Sequence, residues 1–376
     1  MQLRIHFAAA TVLAAACAAS MAPAQTTLKD AYKNSFVIGA AINEAQISGT
    51  DKRGDALLQT QFSSITPENV LKWERVHPQP GKYNFDLPDK YVALGQEEHM
   101  FIVGHCLIWH NQTPAWVFHD DKGNLLTRDA LLARMKEHIS TVVDRYKGKI
   151  QSWDVVNEAL NDDGTLRQTL WLKIIGPDFI EKAFEYAHEA DPQAQLNYND
   201  YNLEFDAKLK GAVELVKKLK AEGIPISTVG IQAHVHMASP TADQEDHAIA
   251  TLGALGVKVA ITELDVDILP NNGYGPTADV SLTVEKKAQF NPYVSGLPGE
   301  VQLQLATRYG DLFRVFAKHR DVVNRVTFWG IDDADSWLNN WPMRGRTNYP
   351  LLFDRDGKPK PAFDAVLHAA SEPTAR

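Results

Sequence analysis

The sequence predicts an α/β chain that closes into a single (β/α)8 TIM barrel. Three observations carry this. Eight short runs rich in β-branched and aromatic residues recur along the 376 residues. Between most of them, apolar residues return at three- and four-residue spacing, the period of an amphipathic helix. No Gly/Ser or Pro/Thr linker and no second module interrupts the alternation. Strand alternating with helix builds a parallel sheet, and eight such units close it.

Residues 1–24 read as an export signal ahead of a catalytic domain at 25–376. Arg4 supplies a positive start, residues 7–19 are apolar, and Ala22-Pro23-Ala24 is a small-residue cleavage site. The apolar run is short of the roughly 20 residues a membrane span needs. A lipid-anchor reading through Cys17 is the weaker alternative, because only alanines precede it. The strands then follow at 36–43, 62–69, 101–109, 150–158, 195–202, 228–234, 257–265 and 325–332. Leu131, Met135, Ile139 and Val142 mark the helix after the third strand. Leu209, Val213, Leu215, Val216 and Leu219 mark the one after the fifth, and Leu312, Val315 and Phe316 the one before the eighth. The segment 270–300, rich in Gly, Pro and Asn, is long for a strand-to-helix loop and is read as functional.

Composition narrows the function. The chain is 44% hydrophobic and 23% charged, ordinary for a globular protein with ample core. A formal charge of −9 argues against nucleic acid and against anionic membranes. Once Cys17 leaves with the signal, Cys106 stands alone in an apolar run, so no intrachain disulfide is expected and the core alone must hold an exported fold. The chain is expected to act as a monomer.

Polar groups collect where strands end. Glu68 and Asn69 end the second strand, and His105 and Trp109 lie late in the third. Asn157 and Glu158 end the fourth, Tyr201 and Asn202 the fifth, Gln232 and His234 the sixth. Glu263 and Asp265 end the seventh, and Trp329 the eighth. In a barrel these tips meet on one face, where active sites are built. Glu158 and Glu263 matter most. A carboxylate at the tip of an apolar strand depends on its neighbours for its proton affinity. Two facing each other are what glycoside hydrolysis needs, about 5–5.5 Å apart for the retaining reaction. Phosphate loops, paired CxxC motifs, HExxH and GxSxG are absent, so no cofactor is expected. His234, His236 and Glu263 could in principle hold a metal, but the reading adopted is metal-free proton chemistry. Trp109, Trp329, Trp337 and Tyr201 offer flat faces for a sugar ring. Glu68, Asn69, Lys72, His105, Asn157 and Gln232 offer donors and acceptors for its hydroxyls. Trp73 and Trp153 are read as core.

Seven strings occur in order: Thr-Pro-Glu-Asn (66–69) with Lys72-Trp73, Gly-His-Cys-Leu-Ile-Trp-His (104–110), Trp-Asp-Val-Val-Asn-Glu (153–158), Tyr-Asn-Asp-Tyr-Asn (198–202), Gly-Ile-Gln-Ala-His (230–234), Ile-Thr-Glu-Leu-Asp (261–265) and Thr-Phe-Trp-Gly (327–330). Together they resemble the family 10 glycoside hydrolases, typically endo-1,4-β-xylanases, from about Ala31 to Leu367. The resemblance implies the same barrel, retention of anomeric configuration, and xylan or xylo-oligosaccharides as substrate. It makes Glu158 the acid/base and Glu263 the nucleophile. Asn157 would hold the sugar 2-hydroxyl, and His234, with Asp265 behind it, would hydrogen-bond Glu263. Glu68, Asn69, Lys72, His105, Trp109, Gln232, Trp329 and Trp337 would line the glycone side, with Tyr201 and Asn202 towards the leaving group. Two other readings stay open: another β-glycanase such as an endoglucanase, and a sugar-binding barrel without catalysis.

Overall fold

The computed structural model describes residues 26–270, 278–285 and 287–372. The expected export signal lies outside them, as do positions 271–277 and 286 of the long loop. Eight parallel strands close a barrel: β1 (Val37–Ile42), β2 (Ser64–Pro67), β3 (Phe101–Ile108), β4 (Ser152–Asn157), β5 (Gln195–Asp200), β6 (Thr228–Ile231), β8 (Lys258–Asp267) and β9 (Val323–Phe328). Neighbours pair in chain order, β9 returns to β1, and β6 pairs with β8.

The sixth strand departs from expectation. Predicted as one run over 228–234, it splits into β6 and a short β7 (His234–His236) that pairs only with the far end of β8. Ala233, at φ 57°, breaks the extended backbone between them. β8 is longer than predicted, so Glu263 sits inside the strand and not at its end. The β8–β9 register slips between Ile261 and Leu264, an irregularity that includes the Glu263 position.

The helices follow their periodicity. In helix Arg128–Arg145, Leu131, Met135, Ile139 and Val142 are fully buried, and Thr127 caps its start by accepting from the Ala130 N–H. In helix Asp206–Ala221, Leu209, Leu215, Val216 and Leu219 are buried while Val213 is half-buried. Trp73, Trp153 and Cys106 are core residues. Among the strand residues, the polar Ser64, Ser152, Asp154, Asn197, Thr228 and Arg325 are all buried. They are satisfied in part by one another: Asn197 donates to Ser152 and Asp154 at 2.8 and 3.0 Å.

Candidate active site

Glu158 follows directly on β4 and carries the left-handed φ of 56°. A left-handed residue with a side chain is uncommon and marks a backbone held by its surroundings. Here the Glu158 N–H donates to the Asn199 carbonyl at 2.8 Å, pinning the turn to the neighbouring strand. The carboxylate is buried and accepts two neutral hydrogen bonds, from Trp109 Nε1 at 2.7 Å and Gln232 Nε2 at 3.0 Å. Burial pushes its pKa up to about 7. The Asp200 and Glu263 charges add to that rise, and the two hydrogen bonds only partly oppose it.

Glu263 faces the same cavity with the opposite surroundings. His234 Nε2 lies 3.2 Å from its Oε2, and Asn199 Nδ2 donates to its Oε1 at 2.8 Å. Burial alone would raise its pKa. The His234 hydrogen bond, the His105 and His234 charges and the Asn199 bond outweigh it and hold the carboxyl below its ordinary value. The other His234 nitrogen, Nδ1, lies 3.0 Å from Asp265 Oδ1. Burial disfavours the charged ring, but Asp265 and Glu263 together overcome it and push its pKa up to about 10. Each ring nitrogen thus faces a carboxylate oxygen, the arrangement in which a protonated imidazole donates on both sides. Asp265, its own carboxyl raised chiefly by burial, also accepts from Trp337 Nε1 at 2.7 Å.

Around the pair one cleft gathers Glu68, Asn69, Lys72, His105, Trp109, Asn157, Gln232, Trp329 and Trp337. Lys72 donates to Asn69 at 3.1 Å and lies 4.8 Å from the Trp109 ring centroid. Burial raises the Glu68 carboxyl against the pull of Lys72. His105 is fixed from below by Asp154 at 3.0 Å, and its ring meets Trp329 edge-on at 5.4 Å. Trp337 stacks on Trp341 at 4.6 Å and packs against His234. The Asn157 amide sits 2.8 Å from that of Asn199. A larger cavity of about 430 Å³ lies outside the barrel beside Leu160, Ile180 and Leu215, but the catalytic-type carboxylates are in this smaller one.

Two expected residues are not brought to this cleft. Tyr201 is buried, its hydroxyl accepts from Arg167 at 2.8 Å, and Lys208 Nζ covers its ring at 3.5 Å from the centroid. That face is occupied by a cation and is not open for a sugar. Asn202, left-handed at φ 57°, donates to Asp162 at 3.3 Å. Conversely, Gln112, Ala278 and Val280 line the cleft and were not singled out from the sequence. Gln112 stands three residues beyond Trp109 and two beyond the end of its string, a proximity that could have found it. Ala278 and Val280 belong to the segment after β8 and are its residues that line the cleft among those described.

The profile of Glycosyl hydrolase family 10 matches residues 27–369. Endo-1,4-beta-xylanase A of Xylanibacter ruminicola is 43% identical over 93% of this chain and 95% of its own length. An endo-1,4-beta-xylanase of Geobacillus stearothermophilus is also 43% identical, over 91% of this chain and 98% of its own. Among solved structures, a GH10 endoxylanase retrieved from a sugarcane soil metagenome superposes with a TM-score of 0.89 at 46% identity, covering 91% of this chain and 99% of that one. A mutant structure in complex with xylotriose superposes with a TM-score of 0.81 at 39% identity, covering 91% and 99%. With the barrel, its paired carboxylates and these likenesses in agreement over nearly the whole described chain, this protein belongs to glycosyl hydrolase family 10.

Proposed function

We propose that Glu158 and Glu263 hydrolyse internal β-1,4-xylosidic bonds of xylan with retention of configuration. One observation carries the assignment of roles. Two buried carboxylates on one cleft have surroundings that drive their proton affinities apart, Glu158 upward and Glu263 downward. The group that keeps its proton serves as acid, and the group that stays ionised serves as nucleophile. In the first step a Glu263 oxygen bonds to the anomeric carbon as the glycosidic C–O bond breaks, and Glu158 gives its proton to the departing oxygen. In the second, the Glu158 carboxylate takes a proton from water. The resulting hydroxide displaces Glu263 from the anomeric carbon. Asn157 is assigned the sugar 2-hydroxyl, and the aromatic and polar lining of the cleft holds the glycone.

Residues 1–24 are assigned as an export signal, which puts the mature enzyme outside the cytoplasm, acting as a monomer. Among the described residues no helix is long and apolar enough to cross a membrane. N-terminal sequencing of the exported protein and its sedimentation in solution test these two points.

The activity is tested by reducing-sugar release from xylan and from carboxymethyl cellulose, with the first product followed by anomeric NMR. Xylan hydrolysis with the β-anomer appearing first is the expected result. Preferential cleavage of cellulose would favour the endoglucanase reading, and an α-anomer first would exclude the double displacement.

A further inference from the structure

Beside Glu158 lies a buried ion pair that the reaction as described does not use. Asp200, the last residue of β5, is fully buried, and Lys208, in the first turn of helix Asp206–Ala221, is equally so. Their charges meet at 2.9 Å. The Asp200 carboxylate also accepts from the Tyr198 hydroxyl at 2.5 Å, the Tyr201 N–H at 2.9 Å and the Leu160 N–H at 3.3 Å. The last contact reaches the main chain two residues beyond Glu158. The Gln232 N–H donates to the Asp200 carbonyl at 3.0 Å, so the residue that hydrogen-bonds Glu158 is anchored to Asp200 as well. A buried ion pair is poor value as a stabiliser, because desolvation offsets most of its attraction. Its place beside a strained catalytic turn asks for another role.

We propose that Asp200 and Lys208 are positioning residues for the acid/base: the pair fixes the turn that aims Glu158 and supplies the local charge that keeps its proton in place until the leaving group takes it. The inference rests on the assignment of Glu158 above. The charged and titratable groups around Glu158 are Cys106 from β3, Asp200 and Tyr198 from β5, Glu263 from β8, and Arg167 with Tyr201 from the loops. Arg167 is committed elsewhere. Its Nε donates to the Glu158 carbonyl at 3.1 Å and its Nη2 to the Leu160 carbonyl and the Tyr201 hydroxyl. Glu263 ranks behind Asp200 among the charges that raise Glu158. Asp200 itself faces Lys208, Tyr198, Tyr201 and Glu158, and Lys208 also reaches Asp162 at 3.4 Å. Burial disfavours the Lys208 ammonium, but Asp200 and Tyr201 overcome this and keep it charged.

The test compares Asp200→Asn, Lys208→Met and Lys208→Arg with the wild type in the pH dependence of kcat/KM. Each is assayed on xylan and on a dinitrophenyl xylobioside, whose leaving group needs no proton. Asp200→Asn removes an anion and leaves a cation, so the basic limb on xylan should fall by about one pH unit. Lys208→Met leaves the anion unbalanced, and the limb should rise. Lys208→Arg should restore the wild-type limb. The xylan rate should suffer more than the dinitrophenyl rate. Opposite displacements by the two variants are what a merely structural pair would not produce. A limb that stays in place in folded variants, or equal losses on both substrates, would overturn the inference; if one variant does not fold, the sign of the other decides. Azide rescue of Glu158→Ala separates the two levels. If rescue fails, the acid/base assignment is wrong; if it succeeds while the limbs stay put, only the Asp200–Lys208 inference falls.

Discussion

Glu158 and Glu263 are one residue type used for two tasks, and the difference lies in what each touches. Glu158 accepts only from an indole and an amide, both neutral, whereas Glu263 accepts from an imidazole that Asp265 keeps charged. Their alanine variants should therefore fail differently. Glu263→Ala should abolish turnover on every substrate bearing a natural configuration. Glu158→Ala should still form the glycosyl-enzyme from an aryl glycoside with a good leaving group, and azide should then restore turnover as a β-glycosyl azide. Measuring product identity and rate with and without azide checks both. Rescue of the Glu263 variant to a β-azide would reverse the roles.

The same surroundings set a pH dependence. Activity needs Glu263 ionised and Glu158 protonated. The acidic limb then follows a carboxyl held below its ordinary value, and the basic limb a carboxyl at about 7. His234→Ala removes the donor and charge that lower Glu263, so its acidic limb should move to higher pH while the basic limb moves less. Rate–pH profiles on a soluble substrate read this directly. Exhaustive EDTA treatment of the wild type should leave activity intact, because both His234 nitrogens are taken by carboxylates. Chelator-sensitive activity restored by zinc would contradict that arrangement.

At the scale of elements, the site is built from interruptions. Glu158, Asn202 and Ala233 follow β4, β5 and β6 closely, each with positive φ. Such residues typically cost about 1–3 kcal/mol each and persist only where neighbours hold them. The holding bonds run strand to strand: Glu158 to Asn199, Gln232 to Asp200, and Glu263 to Gln232, all main chain. Below them packing leaves no slack. A Cβ on Gly104 of β3 would come within 2.1 Å of the Trp153 ring on β4. Gly104→Ala should destabilise the fold by about 1–3 kcal/mol and displace the adjacent His105. The expected outcome is a lower thermal midpoint together with weaker binding of xylo-oligosaccharides, by calorimetry. An unchanged midpoint would show that Trp153 can give way.

For the whole molecule, catalysis and stability compete at Glu158. Its folded pKa of about 7 exceeds the ordinary value of 4.5. A carboxyl whose pKa is raised by folding stabilises the fold relatively at low pH, and that contribution is lost as pH climbs from 4.5 through 7. Glu158→Gln, neutral at every pH, should be the more stable protein above neutrality, by about 3 kcal/mol, with the gain fading towards acid. Thermal midpoints of both proteins across that window check it. A variant equally or less stable at pH 8 would mean that the buried site takes up charge more easily than its surroundings imply.

The order of strands, the periodicity of the helices and the residues that crowd one face were legible in the sequence. Each depends on local rules: β-branched runs, apolar spacing, and the parallel barrel that puts every strand tip on the same side. Glu158, Glu263, His234 and Asp265 could be named because they stand late in the predicted strands, within recognisable strings. Other features needed the folded chain. The split of the sixth strand at Ala233 and the burial of Glu263 within β8 depend on register between strands, which no single strand encodes. Tyr201 looked like an open platform, but Lys208, seven residues on and in the first turn of its helix, lies across it. Ala278 and Val280 meet the cleft through tertiary contacts that their own sequence does not signal. Proton affinities were the least legible of all. They depend on burial and on charges brought within a few ångströms from strands far apart in the chain, and that proximity exists only once the barrel has closed.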